Sequence, residues 1–413
     1  MERNWAGTYA YTAPRIEAVR SVAEVRTAVA GARRAHALGT RHSFTDLPDT
    51  AGTLLDVSAL AGVIGEVGER VWAWAGTRYG VLAPALEARG RALFNMGSLP
   101  HIGVAGSTAT GTHGSGDRNG VLSTAVTALR VVDADGEVRE VRRDDPDFPA
   151  LVVGVGAFGV VVAVELETVP SYRVRQDLYR GVRWETALAD LGALTGAGYS
   201  VSIFTRWEPE DLGWVWVKTR VAGDDQVVAD TLQGGRLTLE GSPLGSGDNI
   251  TGLGGVPGPW MHRLPHFRLD REPSFGAEIQ TEYFVPRAQG AAALDAVLAL
   301  GDAIRPVLVW SEIRTAAADD LWLSPAYERD VVVIHFTWLD RPDEVAALVP
   351  LIEAALEPFS ARPHWGKVHG FDAARLAAVH PRLADARAVF ERWDPAGKFV
   401  NEHLVRVGVR AAR

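Results

Sequence analysis

Between Gly97 and Gly116 the chain reads Gly-Ser-Leu-Pro-His-Ile-Gly-Val-Ala-Gly-Ser-Thr-Ala-Thr-Gly-Thr-His-Gly-Ser-Gly, small and hydroxylated residues with no formal charge. Such a loop offers many backbone N–H groups and hydroxyls to a pyrophosphate. Its Pro-His-Ile-Gly-Val interruption argues against a flexible linker. A second small-residue turn, Gly39-Thr40-Arg41-His42-Ser43-Phe44, follows a short apolar run. A lone histidine there would ordinarily be structural or solvent-facing. Two such loops bracketing Gly76-Thr77 suggest one diphosphate site instead. Gly154 to Gly159 spells GxGxxG, yet Val160–Val164 follows as a β-branched run where a dinucleotide fold needs a helix. A nicotinamide-binding Rossmann domain is therefore rejected, and these glycines serve a tight turn or a close backbone approach.

A second set of polar residues lies on runs with strand character. Alternation along 307–314 places Glu312 and Arg314 on one face with Trp310 and Leu308. Along 331–338 it places His335 and Thr337 with Val333, and Glu278, Gln280 and Glu282 also share a face. One such strand would mean only a solvated face. Three of them, together with His364-Trp365-Gly366-Lys367, can line one polar pocket for a polyhydroxylated molecule. Metal chemistry finds little support. His262 and His266 are four apart, but Pro265 between them disfavours a shared helix face. Neither a His-Glu-x-x-His motif nor a Walker A loop occurs. Cysteine is absent, which removes disulfides, thiolate nucleophiles, cysteine-based zinc sites and iron–sulfur clusters.

Positioning these groups takes two α/β assemblies. Ser21 and Glu24 form a capping box ahead of a helix carrying Val22, Val25 and Val29, and Ala35–Leu38 reads as a strand running into Gly39. Strands follow at 53–57, 71–75 and 128–132. The last meets 137–141 across Asp135-Gly136, a hairpin turn with positive φ at both central residues. A helix from about Thr77 to Arg89 ends at Gly90, with Pro84 imposing a kink or a late start. The uncharged 150–164 run is shorter than a membrane span and reads as buried strand. Residues 234–258, rich in Gly, Pro and Ser, read as a long loop. Beyond it, β-runs at 277–285, 307–314 and 331–338 are separated by helical patterns at 291–304 and 344–356, giving a second sheet with helices on one face. The 393–399 segment, Trp-Asp-Pro-Ala-Gly-Lys-Phe, is turn-forming and too specific for a frayed tail. The 413 residues suit two domains, and 47% apolar with 23% charged residues is ordinary globular composition. A net charge of −9 disfavours nucleic acid or an anionic membrane as partner. Met1–Trp5 lacks the basic-then-apolar pattern of a leader, so a soluble cytoplasmic protein is expected.

Taken in order, these stretches resemble the FAD-linked alditol oxidases of the vanillyl-alcohol-oxidase / p-cresol methylhydroxylase flavoprotein superfamily. The resemblance runs through Asn4-Trp5-Ala6-Gly7, His42-Ser43-Phe44, the 97–116 loop, Val256-Pro257-Gly258-Pro259-Trp260 and Arg263-Leu264-Pro265-His266-Phe267. It continues through Ala277-Glu278, Glu312-Ile313-Arg314-Thr315, His335-Phe336-Thr337-Trp338, the 362–368 segment and Asp394 to Phe399. It implies an α+β fold of two domains. A p-cresol-methylhydroxylase-type FAD-binding domain would span 1–172. A substrate-binding cap domain on an antiparallel sheet with helices would span 173–370, and residues 371–413 would return to the FAD domain.

The resemblance further implies FAD contacts from Gly39, Thr40, Arg41, His42, Ser43, Phe44, Ser98, Gly103, Ala105, Gly106, Ser107, Thr110, Gly111, Thr112, His113, Gly114, Gly159, Val160 and Val161. His42 would carry the flavin covalently through its 8α-methyl, and the absence of cysteine excludes a second linkage. Substrate contacts would come from Ser98, Gln280, Glu312, Arg314, Thr337 and Lys367. Glu312, Arg314, His335 and Lys367 would be catalytic, His335 relaying a proton with a pKa near working pH. Arg41 stands where the family often has the second glycine of Gly-x-Gly-His-Ser-Phe; it adds positive charge near the diphosphate and prefers negative φ. Gly97, a small residue beside the flavin, is compatible with oxidase behaviour. The implied activity is oxidation of a terminal CH–OH of an alditol such as xylitol or sorbitol to the aldehyde, with O2 reduced to hydrogen peroxide. An aldonolactone oxidoreductase of the L-gulono-1,4-lactone type is the alternative. The expected partners are the polyol and O2, without nucleic acid or membrane, and the expected state is a monomer.

Overall fold

Ser21 caps the first helix, Val22–Gly31, by accepting the Glu24 N–H at 3.2 Å, while the Glu24 carboxylate takes the Arg20 N–H at 2.8 Å. The computed structural model describes residues 1–223, 228–239, 241–245, 248–271 and 276–412. Val25 and Val29 are the buried face of this helix and pack with Ala35 and Leu55. The latter two belong to a parallel three-stranded sheet of Arg15–Ala18, Thr53–Asp56 and Ala35–Leu38.

A five-stranded antiparallel sheet follows, ordered Val63–Val67, Arg70–Trp74, Val160–Glu167, Val126–Val132, Val138–Arg142. Its hairpin at Asp135-Gly136 is present, but only Gly136 takes positive φ (83°). The Asp133 carboxylate accepts the Asp135 and Glu137 amides, so a longer loop with one left-handed glycine replaces the two-residue turn. The 77–89 helix starts late, at Tyr79, and runs through Pro84 to Glu87. The 150–164 run divides: Phe148–Leu151 is a helical turn, and the strand begins only at Val160. Between them Val155 (φ 46°) and Gly156 (φ 76°) reverse the chain.

Among the described residues, ten strands from Arg173 to Pro363 form one antiparallel sheet. The 234–258 segment, expected as loop, begins with one of them, Gly235–Thr238, paired with Arg173–Arg180; residues 240, 246 and 247 lie outside the described residues. The neighbours Ser200–Thr205, Leu308–Ala316, Val331–Leu339 and Glu278–Pro286 carry the polar runs. Helices Gly290–Leu298 and Pro342–Leu356 bury Leu294, Val297, Leu348 and Ile352 with Ile334, Phe336 and Trp338 of the sheet. The 291–304 pattern is broken into two helices, Gly290–Leu298 and Gly301–Ile304.

Register decides which polar residues meet. Glu282 pairs with His335, and His335 with Glu312, so the three form one row across adjacent strands. Gln280, Thr337 and Trp310 form the next row. Strands lie about 4.8 Å apart, so side chains in a row touch. A bulge between Leu308 and Trp310 ends the expected alternation, and Leu308 joins the helix-side core with Trp338.

The C-terminal residues bind back onto the first sheet. Ala35 N–H donates to the Lys398 carbonyl at 3.0 Å, and the Asn401 side chain donates to the carbonyls of Leu47 and Asp49 at 2.8 Å each. Phe399 is buried with Val25 and Ala35. Among the described residues no helix is long and apolar enough to cross a membrane.

Candidate active site

One long cleft is lined both by the small-residue loops and by the polar face of the large sheet. Its first half is walled by Gly39–Phe44, Gly103, Ala105, Gly106, Ser107, Thr110, Gly159 and Val161. Strand alternation puts Val161 on the wall and turns Val160 into the core. Gly111 and Gly114 also stand off the wall, packed on Pro325 and on Asn95 respectively.

His42 projects into this half. Its Nδ1 lies 3.0 Å from Thr40 Oγ1, which also accepts the Gly103 amide at 3.0 Å. Its Nε2 is buried without a partner. Trp5 stacks on the ring, centroids 5.1 Å apart and planes 17° from parallel. Burial, then the charges of His101 and Arg78, push the His42 pKa down to about 3. The ring is therefore a neutral imidazole, the form with a lone pair to bond carbon. A wall of small residues, amide- and hydroxyl-rich loops and an orphaned imidazole nitrogen fit FAD along this half of the cleft.

Arg41 departs from the expectation. It holds φ 65°, the conformation a glycine would supply, at a cost of roughly 1 kcal/mol or more. Its guanidinium pairs with Glu2 (2.8 Å) and Asp56 (2.7 Å), so its charge goes to two carboxylates rather than to a diphosphate.

At the other end the central group is Glu282, 1% exposed. Lys367 Nζ donates to its Oε2 at 2.7 Å and to His335 Nδ1 at 2.8 Å. Arg314 donates to Glu282 Oε2 at 3.0 Å and to Ser98 Oγ at 3.3 Å, and its Nε stands 3.5 Å from Glu312 Oε1. His113 gives its Nδ1 proton to the Gly114 carbonyl at 2.7 Å and sets Nε2 3.1 Å from Glu282 Oε1. Burial pushes both carboxyls up, but Lys367 and His113 outweigh it at Glu282, and Arg314 and His266 at Glu312, holding both below the ordinary range. Burial lowers the Lys367 pKa, with Glu282 opposing. Two buried carboxylates thus face two cations, and the site is balanced without added ions.

His335 does not titrate near neutrality. Burial and the adjoining Lys367 push its pKa down to about 4, so it is a neutral ring that accepts a hydrogen bond from the Lys367 ammonium at Nδ1. Thr337 stands behind it with Oγ1 2.9 Å from His335 Nε2, fully buried and off the cleft wall. Gln280, Ser98, Glu312, Arg314, Lys367 and Thr112 all reach the wall. An added Cβ at Gly97 would meet Ile102 Cδ1 at 3.5 Å, an ordinary contact.

Sequence reasoning singled out no role for Glu282, although its place on one face with Gln280 was visible. It set His266 aside with the metal motifs, whereas its Nε2 lies 2.7 Å from Glu312 Oε1. Trp5, also on the wall, carried no spacing signal, whereas alternation had placed Trp310, likewise on the wall, on the face of Glu312.

Residues 14–142 match the family model described as FAD binding domain, and residues 266–407 match that of D-arabinono-1,4-lactone oxidase. The chain is 42% identical to the alditol oxidase of Streptomyces sp. (strain IKD472 / FERM P-14339), with 97% of each chain covered. It is 28% identical to the L-gulono-1,4-lactone dehydrogenase of Mycobacterium tuberculosis, with 98% of each covered. The cholesterol oxidase of B. sterolicum shares the fold, with a TM-score of 0.77 at 15% identity over 98% of this chain and 96% of that one.

Proposed function

Because the chain belongs to the alditol oxidase family, we propose that it oxidises the terminal CH–OH of an acyclic polyol such as xylitol or sorbitol to the aldehyde, with His42 as the covalent attachment point. The chain is an FAD-dependent oxidoreductase acting on CH–OH groups. FAD, when bound, would supply the hydride acceptor, and the hydride together with the hydroxyl proton would reduce O2 to hydrogen peroxide. The same reading assigns residues 1–172 to an FAD-binding unit, 173–370 to a substrate-binding unit and 371–413 to a segment returning to the first.

The observation that carries the polyol reading is the buried, charge-balanced row of Glu282, His335 and Glu312 with Arg314 and Lys367 beside it. Polyol hydroxyls both donate and accept. Glu312 accepts from them as carboxylates do from sugars, and Gln280 offers an amide. Arg314 and Lys367 stabilise the negative charge that develops on the terminal oxygen as its proton leaves. His335 and Glu282 aim the Lys367 ammonium by accepting two of its hydrogens.

The deciding experiment is peroxide release in air with xylitol and an aldonolactone in parallel. Release with xylitol is the expected result; release with the lactone alone would overturn the reading. The lactone is included because residues 266–407 match a lactone oxidase model. Attachment is tested separately: acid precipitation of the protein should carry the yellow colour into the pellet, and His42→Ala should leave it in the supernatant. Colour retained in the His42→Ala pellet would remove His42 as the attachment point.

A further inference from the structure

Behind Glu312, off the cleft wall, lie polar groups that the oxidation reading leaves unused. His266 sets Nε2 2.7 Å from Glu312 Oε1 and Nδ1 3.1 Å from Lys218 Nζ. Lys218, on the strand Trp214–Val221, also donates to the Leu264 carbonyl. Lys218 and Glu312 are each 1% exposed and His266 3%. The His266 ring lies over Trp216 at 4.8 Å and meets Phe204 edge-on at 5.3 Å, so it cannot swing to another partner.

We propose that Lys218 and His266 form a relay that positions Glu312: Lys218 sets the His266 tautomer, and His266 holds one carboxylate oxygen so that the other serves the substrate. The inference rests on the reading of Glu312 as a substrate-binding residue. Its direction follows from donors and acceptors. An ammonium has only donors, and a neutral amine facing the Leu264 carbonyl still has a second N–H for the ring. His266 Nδ1 is therefore an acceptor, and the neutral ring carries its proton on Nε2, where it donates to Glu312 Oε1. Arg314 Nε approaches the same oxygen at 3.5 Å. Both contacts fall on Oε1, which leaves Oε2 for a hydroxyl in the cleft.

Without Lys218 the ring is free to take the other tautomer. A bare Nε2 lone pair would then face the carboxylate at 2.7 Å, and the repulsion is relieved by protonating Glu312. Protonation turns an acceptor into a donor. The charged or titratable groups facing Glu312 are Arg314 on its own strand, His335 on the neighbouring strand, Lys367 on the 364–367 segment, His266 on the loop, and Lys218 behind His266. Burial pushes Lys218 down to about 7, with Glu312 holding it up and Arg314 lowering it further. Loss of its charge near neutrality does not break the relay, because N–H donation to His266 persists.

The test compares His266→Phe, His266→Gln and Lys218→Met by KM, kcat and the pH dependence of kcat/KM with xylitol. His266→Phe and Lys218→Met should raise KM about tenfold, the worth of one hydrogen bond to a charged group, with kcat within about threefold. Loss of the donor raises the Glu312 pKa, so the acid limb of kcat/KM should move to higher pH by about one unit. Gln at 266 can donate to Glu312 and accept from Lys218 at once, so His266→Gln should retain wild-type KM and acid limb. Unchanged KM and acid limb in His266→Phe would overturn the relay, as would a His266→Gln variant as impaired as His266→Phe, which is the signature of packing alone. Should Lys218→Met not fold, the Phe and Gln pair decides. A wild-type protein that oxidises no polyol defeats the reading of Glu312 and the relay together; an active wild type with a silent His266→Phe defeats the relay alone.

Discussion

Glu282→Gln should destabilise the protein and sharply lower turnover together. Glu282 is the shared counter-ion of Lys367 and Arg314, and the rings of His113 and His335 lie against it. Replacing it by a neutral amide leaves two buried cations facing one carboxylate. Breaking one side of a buried pair costs roughly 3–5 kcal/mol, because the remaining charge is uncompensated. Part of that cost is avoided if Lys367 gives up its proton, which burial already favours. The sign is fixed: Glu282 raises the Lys367 pKa, so its removal makes the ammonium disappear at lower pH. If Lys367 carries the alkaline limb of kcat/KM, that limb moves to lower pH in the variant, and the unfolding temperature falls. Thermal unfolding with a pH profile measures both. A variant with an unmoved alkaline limb and wild-type melting would show that Glu282 is not the counter-ion of Lys367.

Glu312→Gln acts on substrate instead of on the frame. The amide keeps the shape of the carboxylate but loses the charge that strengthens its bonds to substrate hydroxyls. Hydrogen bonds to a charged group are worth roughly 1.5–3 kcal/mol each, so losing two lowers kcat/KM by about 10²–10⁴-fold. The flavin-to-protein absorbance ratio should stay at the wild-type value, since the cofactor half of the cleft is untouched. Near-normal turnover in this variant would remove Glu312 from the substrate site.

The two variants separate what one polar row does. Glu282 and Glu312 are both buried carboxylates paired to His335 in the register. One is surrounded by protein donors, and the other has both its contacts on a single oxygen. Stability therefore tracks the first and substrate recognition the second.

Period-two alternation was enough to place Glu312 with Arg314, His335 with Thr337 and Gln280 with Glu282, because side-chain direction along a strand is a local property. The small-residue loops and the capping box were readable for the same reason: backbone freedom and hydroxyl chemistry belong to the residues themselves. Local pattern failed where a single inserted or turned residue changed direction, as at the bulge that sends Leu308 to the helix side and the single left-handed glycine at Gly136.

Three features waited on the tertiary structure. Strand register, a pairing of distant segments, made Glu282 the neighbour of His335 and so the centre of the charge network. Burial, which no single strand discloses, drove His335 to about 4 and removed it from neutral-pH proton transfer. The approach of the 264–266 loop to the Leu308–Ala316 strand put His266 behind Glu312. Residue type and spacing thus determined which groups were available for this chemistry. Only the packing of distant segments decided their partners and charge states, because partner identity and desolvation depend on neighbours far away in the chain.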